Sequence, residues 1–308
     1  MKVIFMGTPD FAVGTLEAIV AAGHEVVLAV TQPDKPKGRG KSMQYPPVKE
    51  AAIAYGIEVY QPERVRRLEC IEYLAKYQPD IIVVAAFGQI LPKEILEMPK
   101  YGCINVHASL LPKYRGAAPI QWAVINGEKA SGVTIMRMDE GLDTGDMIAS
   151  VAVELDAQET GGSLFDKLQD AGARLCVETM KSIEDGTAVY TPQDNEIATH
   201  TKMIQKSLGK INWSLSAVQI ERLIRGLNPW PSAYTYLSGK TLKIWKATVH
   251  AAPGTVVKAD KQSLVIQTGV DRLSLEEVQL EGKKRMPVAD FLRGFTIENG
   301  TVLGTKQQ

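Results

Sequence analysis

The chain has 308 residues, of which 45% are hydrophobic and 23% charged, as is usual for a folded globular protein. This length predicts about two domains. No apolar run approaches the length of a transmembrane helix, and the first residues enter a predicted strand without the pattern of a signal peptide. The three cysteines lie singly in apolar segments, which indicates reduced thiols. We therefore expect a cytoplasmic protein that binds no membrane.

The net charge is zero, but it is unevenly distributed along the chain. From Lys206 to the end there are 15 Lys and Arg against 8 Asp and Glu, a charge of +7, and the remainder carries −7. Such an imbalance is compatible with ordinary surface variation. It is also typical of a basic domain that holds a polyanionic partner.

The first two thirds of the chain alternate between predicted strands and helices. Strands are predicted at 2–7, 26–31, 57–60, 81–87, 102–107 and 133–138, and helices at 11–22, 117–126 and 163–184. Near-continuous Val and Ile runs separated by helices predict an α/β domain with a doubly wound, mainly parallel sheet. Ligands of such sheets bind beyond the carboxyl ends of the strands.

Residues 187–205 lack clear periodicity and are predicted to be a linker between domains at 1–186 and 206–308. The second domain begins with a predicted helix at 215–225. Short strands follow at 233–237, 242–250, 254–257, 264–268 and 273–280. This spacing predicts a small barrel or sandwich, and five strands with a basic surface favour an OB-like barrel.

The first predicted strand-to-helix turn does not match a dinucleotide site, because Pro9 stands where the second glycine of Gly-x-Gly-x-x-Gly belongs. We expect Gly7 to permit a tight turn and Asp10 to cap the helix.

A basic segment at 32–42 follows the second predicted strand. Its positive residues, Lys35, Lys37, Arg39 and Lys41, alternate with prolines and glycines. Such a composition predicts a mobile loop without regular structure. The loop is either merely solvated or in contact with a nucleic-acid backbone, and its place at the ligand-binding rim favours contact with phosphates.

The most informative residues are 105–112, Asn-Val-His-Ala-Ser-Leu-Leu-Pro. In an extended strand Asn105, His107 and Ser109 share one face, about 7 Å apart at each two-residue step. An amide donor, an imidazole and a hydroxyl at a strand end suit acyl transfer, which needs oxyanion donors and an acid or base. Asp143, in the segment 139–146, can supply a carboxylate to the imidazole. Asn and Ser also end strands simply by capping the next turn.

Residues 109–122 and 139–146, taken together, resemble the folate-dependent formyltransferases. That resemblance implies formyl transfer from 10-formyltetrahydrofolate to an amine, with Asn105, His107 and Asp143 as the catalytic set. It implies no metal and no covalent enzyme intermediate. The folate-binding residues implied are Ser109, Leu110, Leu111, Pro112, Phe87, Gly88, Gln89 and Ile90.

Within this family, members act on glycinamide ribonucleotide, on amino sugars or on methionyl initiator tRNA. The basic 33–42 loop, the segment 87–92 and the basic C-terminal domain are similar to those of the tRNA-acting members. The resemblance implies a monomer whose partners are the folate and initiator methionyl-tRNA, the latter held partly by Lys35, Lys37, Arg39 and Lys41. An amino-sugar formyltransferase and a non-catalytic RNA- or nucleotide-binding protein are the alternatives.

Overall fold

A computed structural model describes residues 1–37, 42–250, 262–298, 301 and 303–304 of the chain, without the side chains of Lys37, Ser42 and His250. These residues form two units. The first unit comprises Met1–Pro119, Ala130–Glu154 and Phe165–Thr201, and the second comprises Ile120–Lys129, Leu155–Leu164 and Lys202–Gln308. None of the helices in the described ranges is both long and apolar enough to cross a membrane.

The strands are numbered in chain order. They are β1 (Lys2–Gly7), β2 (Glu25–Val30), β3 (Lys35–Lys37), β4 (Ser42–Gln44), β5 (Val59–Tyr60), β6 (Ile81–Ala85), β7 (Cys103–His107), β8 (Arg115–Gly116), β9 (Ala130–Arg137), β10 (Met147–Glu154), β11 (His200–Thr201), β12 (Ala233–Leu237), β13 (Lys240–His250), β14 (Leu264–Gln267), β15 (Arg272–Leu280) and β16 (Met286–Pro287).

The helices are numbered in the same way. They are α1 (Asp10–Ala21), α2 (Pro47–Ala54), α3 (Leu68–Ala75), α4 (Lys93–Leu96), α5 (Pro119–Asn126), α6 (Gly161–Glu184), α7 (Ala217–Gly226) and α8 (Val288–Gly294). Short 3₁₀ turns occupy Asn195–Ile197 and Lys206–Gly209.

The main sheet of the first unit has the order β10-β9-β7-β6-β1-β2-β5. Neighbours from β5 to β7 are parallel, whereas β9 and β10 are antiparallel. The residues of β1 from Val3 to Met6 and all of β6 are buried, as expected of parallel strands covered on both faces. The predicted mainly parallel α/β sheet is confirmed.

The turn from β1 into α1 depends on the small size of Gly7. A Cβ atom at this position would lie 2.7 Å from the Ala12 Cβ and 2.9 Å from the Ala85 carbonyl oxygen. The predicted role of Gly7 in a tight turn is therefore confirmed. The predicted cap was wrong, because Pro9 is the N-cap and Asp10 is the first residue of α1. The Asp10 carboxylate lies in the first turn, where the helix dipole favours negative charge.

The basic segment has more regular structure than its composition predicted. β3 and β4 pair in antiparallel fashion, with Lys35 opposite Gln44 and Lys37 opposite Ser42. The prediction of an irregular loop was thus wrong at both ends, since cross-strand backbone hydrogen bonds can form despite a proline in the ladder. Arg39 and Lys41 lie outside the described residues, as does the side chain of Lys37.

The second unit contains an antiparallel sheet in the order β12-β13-β15-β14, with β16 paired to β15. Side chains alternate along β12, and Ala233, Thr235 and Leu237 are buried. Helix α7 contacts this sheet and begins with a capping box between Ser216 and Gln219, which fixes its first residue at Ala217. The strand predicted at 254–257 lies outside the described residues, and closure into an OB-like barrel stays a prediction.

The segment 187–201 hydrogen-bonds within the first unit, although the domain boundaries predicted from the sequence stay a prediction. Thr191 and Met147 exchange two backbone hydrogen bonds of 2.9 and 2.8 Å. β11 runs parallel to β8, so that His200 lies opposite Arg115. We call residues 187–201 the strap.

Candidate active site

Strand β7 carries Asn105 and His107 to the carboxyl end of the sheet. It lies between β6 and β9, and its burial is complete except at Asn105, which is half-buried. The two polar side chains are two residues apart on one face, as the alternation predicted. His107 is 7% exposed. The sheet therefore holds both groups on a rigid element at the edge where parallel sheets bind ligands.

Asp143 brings a carboxylate to this pair. Its Oδ1 atom is 3.5 Å from the Asn105 Nδ2 donor, and its Oδ2 atom is 3.7 Å from the His107 Nδ1 atom. The backbone N–H of Gly116 donates to the same Oδ2 atom at 2.7 Å. The structure thus brings Asn105, His107 and Asp143 together, as the sequence predicted.

The other ring nitrogen of His107 has a defined partner. Its Nε2 atom is 2.9 Å from the carbonyl oxygen of Tyr114. Because a carbonyl can only accept, we assign the hydrogen on Nε2 to this bond. A proton that the ring gains or loses is therefore carried by Nδ1, the nitrogen that faces Asp143.

Ser109 does not continue the face formed by Asn105 and His107, so that part of the sequence prediction was wrong. β7 ends at His107, and the backbone N–H of Ser109 turns back to the His107 carbonyl at 2.9 Å. The Ser109 hydroxyl donates to the Lys113 carbonyl at 2.7 Å, and the side chain is 1% exposed. The hydroxyl therefore stabilises the loop that follows the strand.

The loop 109–116 is hydrogen-bonded to Thr134 of β9. Its hydroxyl donates to the Ser109 carbonyl at 2.8 Å and accepts from the Leu111 N–H at 3.1 Å. Of the predicted folate residues in this loop, Ser109, Leu111 and Pro112 are buried and Leu110 is half-buried. Folate contact through this loop stays a prediction.

The other predicted folate segment, 87–90, follows β6, and its residues from Gly88 to Ile90 line a groove of about 850 Å³. Gly88 and Gln89 lie in its wall with Ile90, whose side chain is 77% exposed. The Phe87 side chain is 2% exposed, and its carbonyl accepts a hydrogen bond from the Gln32 side chain at 3.0 Å. This groove can receive a planar ligand against an apolar side chain.

The same groove is bordered by basic side chains. Lys35, Arg64 and Arg66 line it, with Glu63 as the acidic member of the wall. The Lys35 ammonium donates to the Gln32 side chain at 3.0 Å. Arg64 and Arg66 were missed in the sequence, because the segment around them carries no motif.

A cysteine near the catalytic face is unsuited to nucleophilic chemistry. Cys103 is two residues before Asn105 on β7 and is 1% exposed. Burial raises the pKa of its thiol to about 12. Since the thiolate is the reactive form, this residue is a packing residue of β7.

Sequence reasoning also missed the polar support of the Asp143 loop. The Gln193 side chain donates to the carbonyls of Asp143 and Gly145, and the Arg115 guanidinium donates to Gln193 and Asn195. Gln193 and Asn195 belong to the strap, whose composition suggested only a linker. Arg115 lies within residues 109–122, the segment that resembles the formyltransferases. That resemblance was the one sequence feature that could have pointed to Arg115 as a supporting residue.

Two family models match the chain. Residues 1–180 match the model described as "Formyl transferase", and residues 203–296 match "Formyl transferase, C-terminal domain". The chain belongs to the formyl transferase family. Both matched segments together span most of this formyl transferase.

Two similar proteins, each matched over nearly its whole length, carry the same name. The chain is 67% identical to a methionyl-tRNA formyltransferase of Agathobacter rectalis over 98% of this chain and 99% of that protein. It is 52% identical to a methionyl-tRNA formyltransferase of Clostridioides difficile over 99% and 100%.

Solved structures of low identity share the fold of this formyl transferase. The sugar 3N-formyl transferase WlaRD, solved with dTDP and 5-N-formyl-THF, has a TM-score of 0.67 and 20% identity, covering 92% of this chain and 99% of its own. An N-formyltransferase from Helicobacter canadensis, in complex with folinic acid and dTDP-3-aminofucose, has a TM-score of 0.66 and 20% identity, covering 93% and 100%.

Proposed function

We propose that this protein transfers the formyl group of 10-formyltetrahydrofolate to the α-amino group of methionine on initiator tRNA. The choice of acceptor rests on the 67% identity to a methionyl-tRNA formyltransferase, which extends over nearly the whole length of both chains. The convergence of Asn105, His107 and Asp143 supports the chemistry. We further propose that the protein works as a monomer in the cytoplasm.

The site supplies the groups that an uncatalysed formyl transfer lacks. The acceptor amine attacks the formyl carbon, and negative charge develops on the formyl oxygen. The Asn105 amide and the Nδ1–H of protonated His107 would donate to that oxygen, and preorganised donors of this kind are a large source of rate enhancement. Asp143 would hold the ring and take part in removing the amine proton. The bond between the formyl carbon and the folate nitrogen then breaks, and the protonated nitrogen leaves as tetrahydrofolate.

The groove beside Gly88–Ile90 is our proposed folate site. Its volume of about 850 Å³ lies within the usual range for small-molecule sites. The exposed Ile90 side chain offers an apolar surface to a pterin ring. Arg64 and Arg66 would face the carboxylates of the glutamyl end, because guanidinium groups bind carboxylates through charge-assisted hydrogen bonds.

The second unit is our proposed tRNA-holding module. Its residues from Lys206 onward carry a charge of +7. The Arg285 guanidinium lies 4.7 Å from the Trp245 ring centre, and the Lys243 ammonium lies 5.5 Å from it. Basic groups interleaved with an aromatic ring suit a phosphate backbone and unpaired bases. The basic residues of the 35–41 segment would add contacts near the acceptor end.

An assay with purified protein tests the proposal. The protein would be mixed with 10-formyltetrahydrofolate and either methionyl initiator tRNA or a dTDP-linked amino sugar, and formylated product would be measured. We expect formyl-methionyl-tRNA only, and its loss in the Asn105→Ala variant. Formylation of the sugar with an inactive tRNA would instead make the protein an amino-sugar formyltransferase, while no product from either would support a binding protein.

A further inference from the structure

Gln193, in the strap, forms hydrogen bonds with the backbone at and near Asp143. Its Nε2 atom donates to the carbonyl oxygen of Asp143 at 2.9 Å and to that of Gly145 at 2.7 Å. One side-chain amide thus uses both of its hydrogens on carbonyls two residues apart. The contact joins positions 50 residues apart in the sequence.

The backbone at Asp143 needs such support. Its φ angle is +54°, in the left-handed region that residues with a Cβ rarely adopt. The neighbouring turn is close-packed, since a Cβ at Gly145 would lie 1.7 Å from the Arg137 carbonyl oxygen. Because the carboxylate is mounted on this backbone, a change in the turn moves the Asp143 oxygens relative to His107.

Arg115 fixes which way the Gln193 amide points. The Arg115 Nε–H donates to Gln193 Oε1 at 2.9 Å, and Nη2 donates to Asn195 Oδ1 at 2.9 Å. Arg115 is 3% exposed. If the amide were reversed, its NH₂ group would face the guanidinium donor, and its oxygen would face two carbonyls. Only the observed orientation satisfies every group, so Arg115 aims the amide hydrogens at the Asp143 loop.

We propose that Gln193 is a positioning residue for the formyl transfer reaction, acting through the backbone of Asp143. The inference rests on the proposed function and deepens it. Gln193 touches neither substrate in this assignment. Its role is to keep the Asp143 carboxylate in register with His107 and Asn105. A misplacement of about 1 Å at such a site can cost about 10²-fold in rate.

The experiment compares matched variants of the full-length protein. Gln193→Glu keeps an acceptor for Arg115 but removes both donors to the Asp143 loop, and Gln193→Met removes all polar contacts without adding charge. Asn195→Asp is the control, because it adds the same charge beside the same guanidinium at an exposed residue without touching the loop. For each variant, kcat and the KM of both substrates would be measured, together with the melting temperature.

We expect both Gln193 variants to lose about 10- to 100-fold in kcat, with KM for folate and tRNA within about threefold of wild type. Asn195→Asp should retain kcat within about threefold. Wild-type kcat in the Gln193 variants, or a rise in KM alone, would overturn the proposal. An equal loss in Asn195→Asp would overturn it as well, because the added charge beside Arg115 would then be the cause.

Folding and activity controls separate the remaining outcomes. If Gln193→Glu does not fold, Gln193→Met decides the matter, and the failure of both to fold would make Gln193 a structural residue and refute the positioning role. An inactive wild-type protein would refute the proposed function and this inference with it. An active wild type beside fully active Gln193 variants would refute the inference alone.

Discussion

Replacing Asp143 by Asn tests the electrostatic core of the proposed mechanism. The Asn side chain can still accept the Gly116 N–H through its amide oxygen, in place of the 2.7 Å bond of the carboxylate. Its NH₂ group would then face the Asn105 Nδ2 donor, now 3.5 Å from Oδ1, so that the two donors oppose each other. The variant therefore keeps the loop contact and removes the charge.

The size of the effect follows from the distance between the carboxylate and the ring. At 3.7 Å, a carboxylate and a protonated imidazole attract each other by about 4 kcal/mol at an effective dielectric constant of about 20. If the whole of this attraction were realised only in the transition state, its loss would lower the rate by about 10³-fold. We expect a fall of about 10²- to 10³-fold in kcat, because part of the attraction is present before the reaction begins.

The assay is single-turnover formylation of methionyl initiator tRNA at saturating folate, with Asp139→Asn as the matched control. Asp139 lies in the same loop, where it accepts hydrogen bonds from the Gly141 N–H and the Thr144 hydroxyl at 3.0 and 2.7 Å. We expect its amide variant to keep most of the activity. An Asp143→Asn rate within threefold of wild type, with a native melting temperature, would refute a charge-based role for this residue.

Four further outcomes are expected. Asn105→Ala should lower kcat by about 10²- to 10³-fold, the usual cost of one oxyanion donor. Fluorescence titration should show a nearly unchanged affinity for a folate analogue, and a comparable loss of affinity would make Asn105 a binding residue. The KM for tRNA should rise steeply with salt and that for folate only weakly, since many phosphates release counterions; equal slopes would contradict the basic second unit as the tRNA holder. The cysteine thiols should resist a thiol reagent until the protein is unfolded, because burial raises the pKa of Cys103 and Cys176 to about 12. Rapid labelling of the native protein would show that the thiols become exposed to solvent. Gly7→Ala should lower stability by about 1–3 kcal/mol through overpacking. Gly14→Ala should cost less, because the nearest atoms to its Cβ belong to the Gln169 side chain, at 3.0 Å and beyond. Equal melting temperatures would show that the β1–α1 turn can relax.

The parts of the fold that the sequence predicted are those with strong local patterns. β6 is an unbroken apolar run, β1 is apolar from Val3 to Met6, and β7 is apolar apart from Asn105 and His107. The long helix α6 was predicted to within two residues of its start. Short elements such as α2 and α3, of eight residues each, were not recognised because eight residues give too few periods to separate a helix from a loop. The antiparallel strand β10 was likewise not recognised.

The candidate site was likewise predicted only where a local sequence pattern determines the structure. Asn105 and His107 share a strand face because side chains alternate with a period of two, which sequence alone can show. The approach of Asp143 depends on a left-handed backbone conformation at a residue other than glycine. Nothing in the order of residues 139–146 specifies that conformation. The sequence therefore offered the Asp143 carboxylate as a partner of the imidazole, but it did not predict the backbone that brings it there.

The strap shows why polar support of a site is hard to predict. Its contacts with Arg115 and Tyr114 join residues 78 to 85 positions apart, and they are hydrogen bonds of side chains with no apolar periodicity to mark them. A preorganised oxyanion site nevertheless needs such contacts, because its donors must be held in place before charge develops. The Tyr114 N–H donates to the Thr199 hydroxyl at 2.8 Å, while the Tyr114 carbonyl accepts from His107. The strap therefore supports both partners of the His107 ring, Tyr114 directly and Asp143 through Gln193, and a segment that reads as a linker is part of the structure that fixes the imidazole.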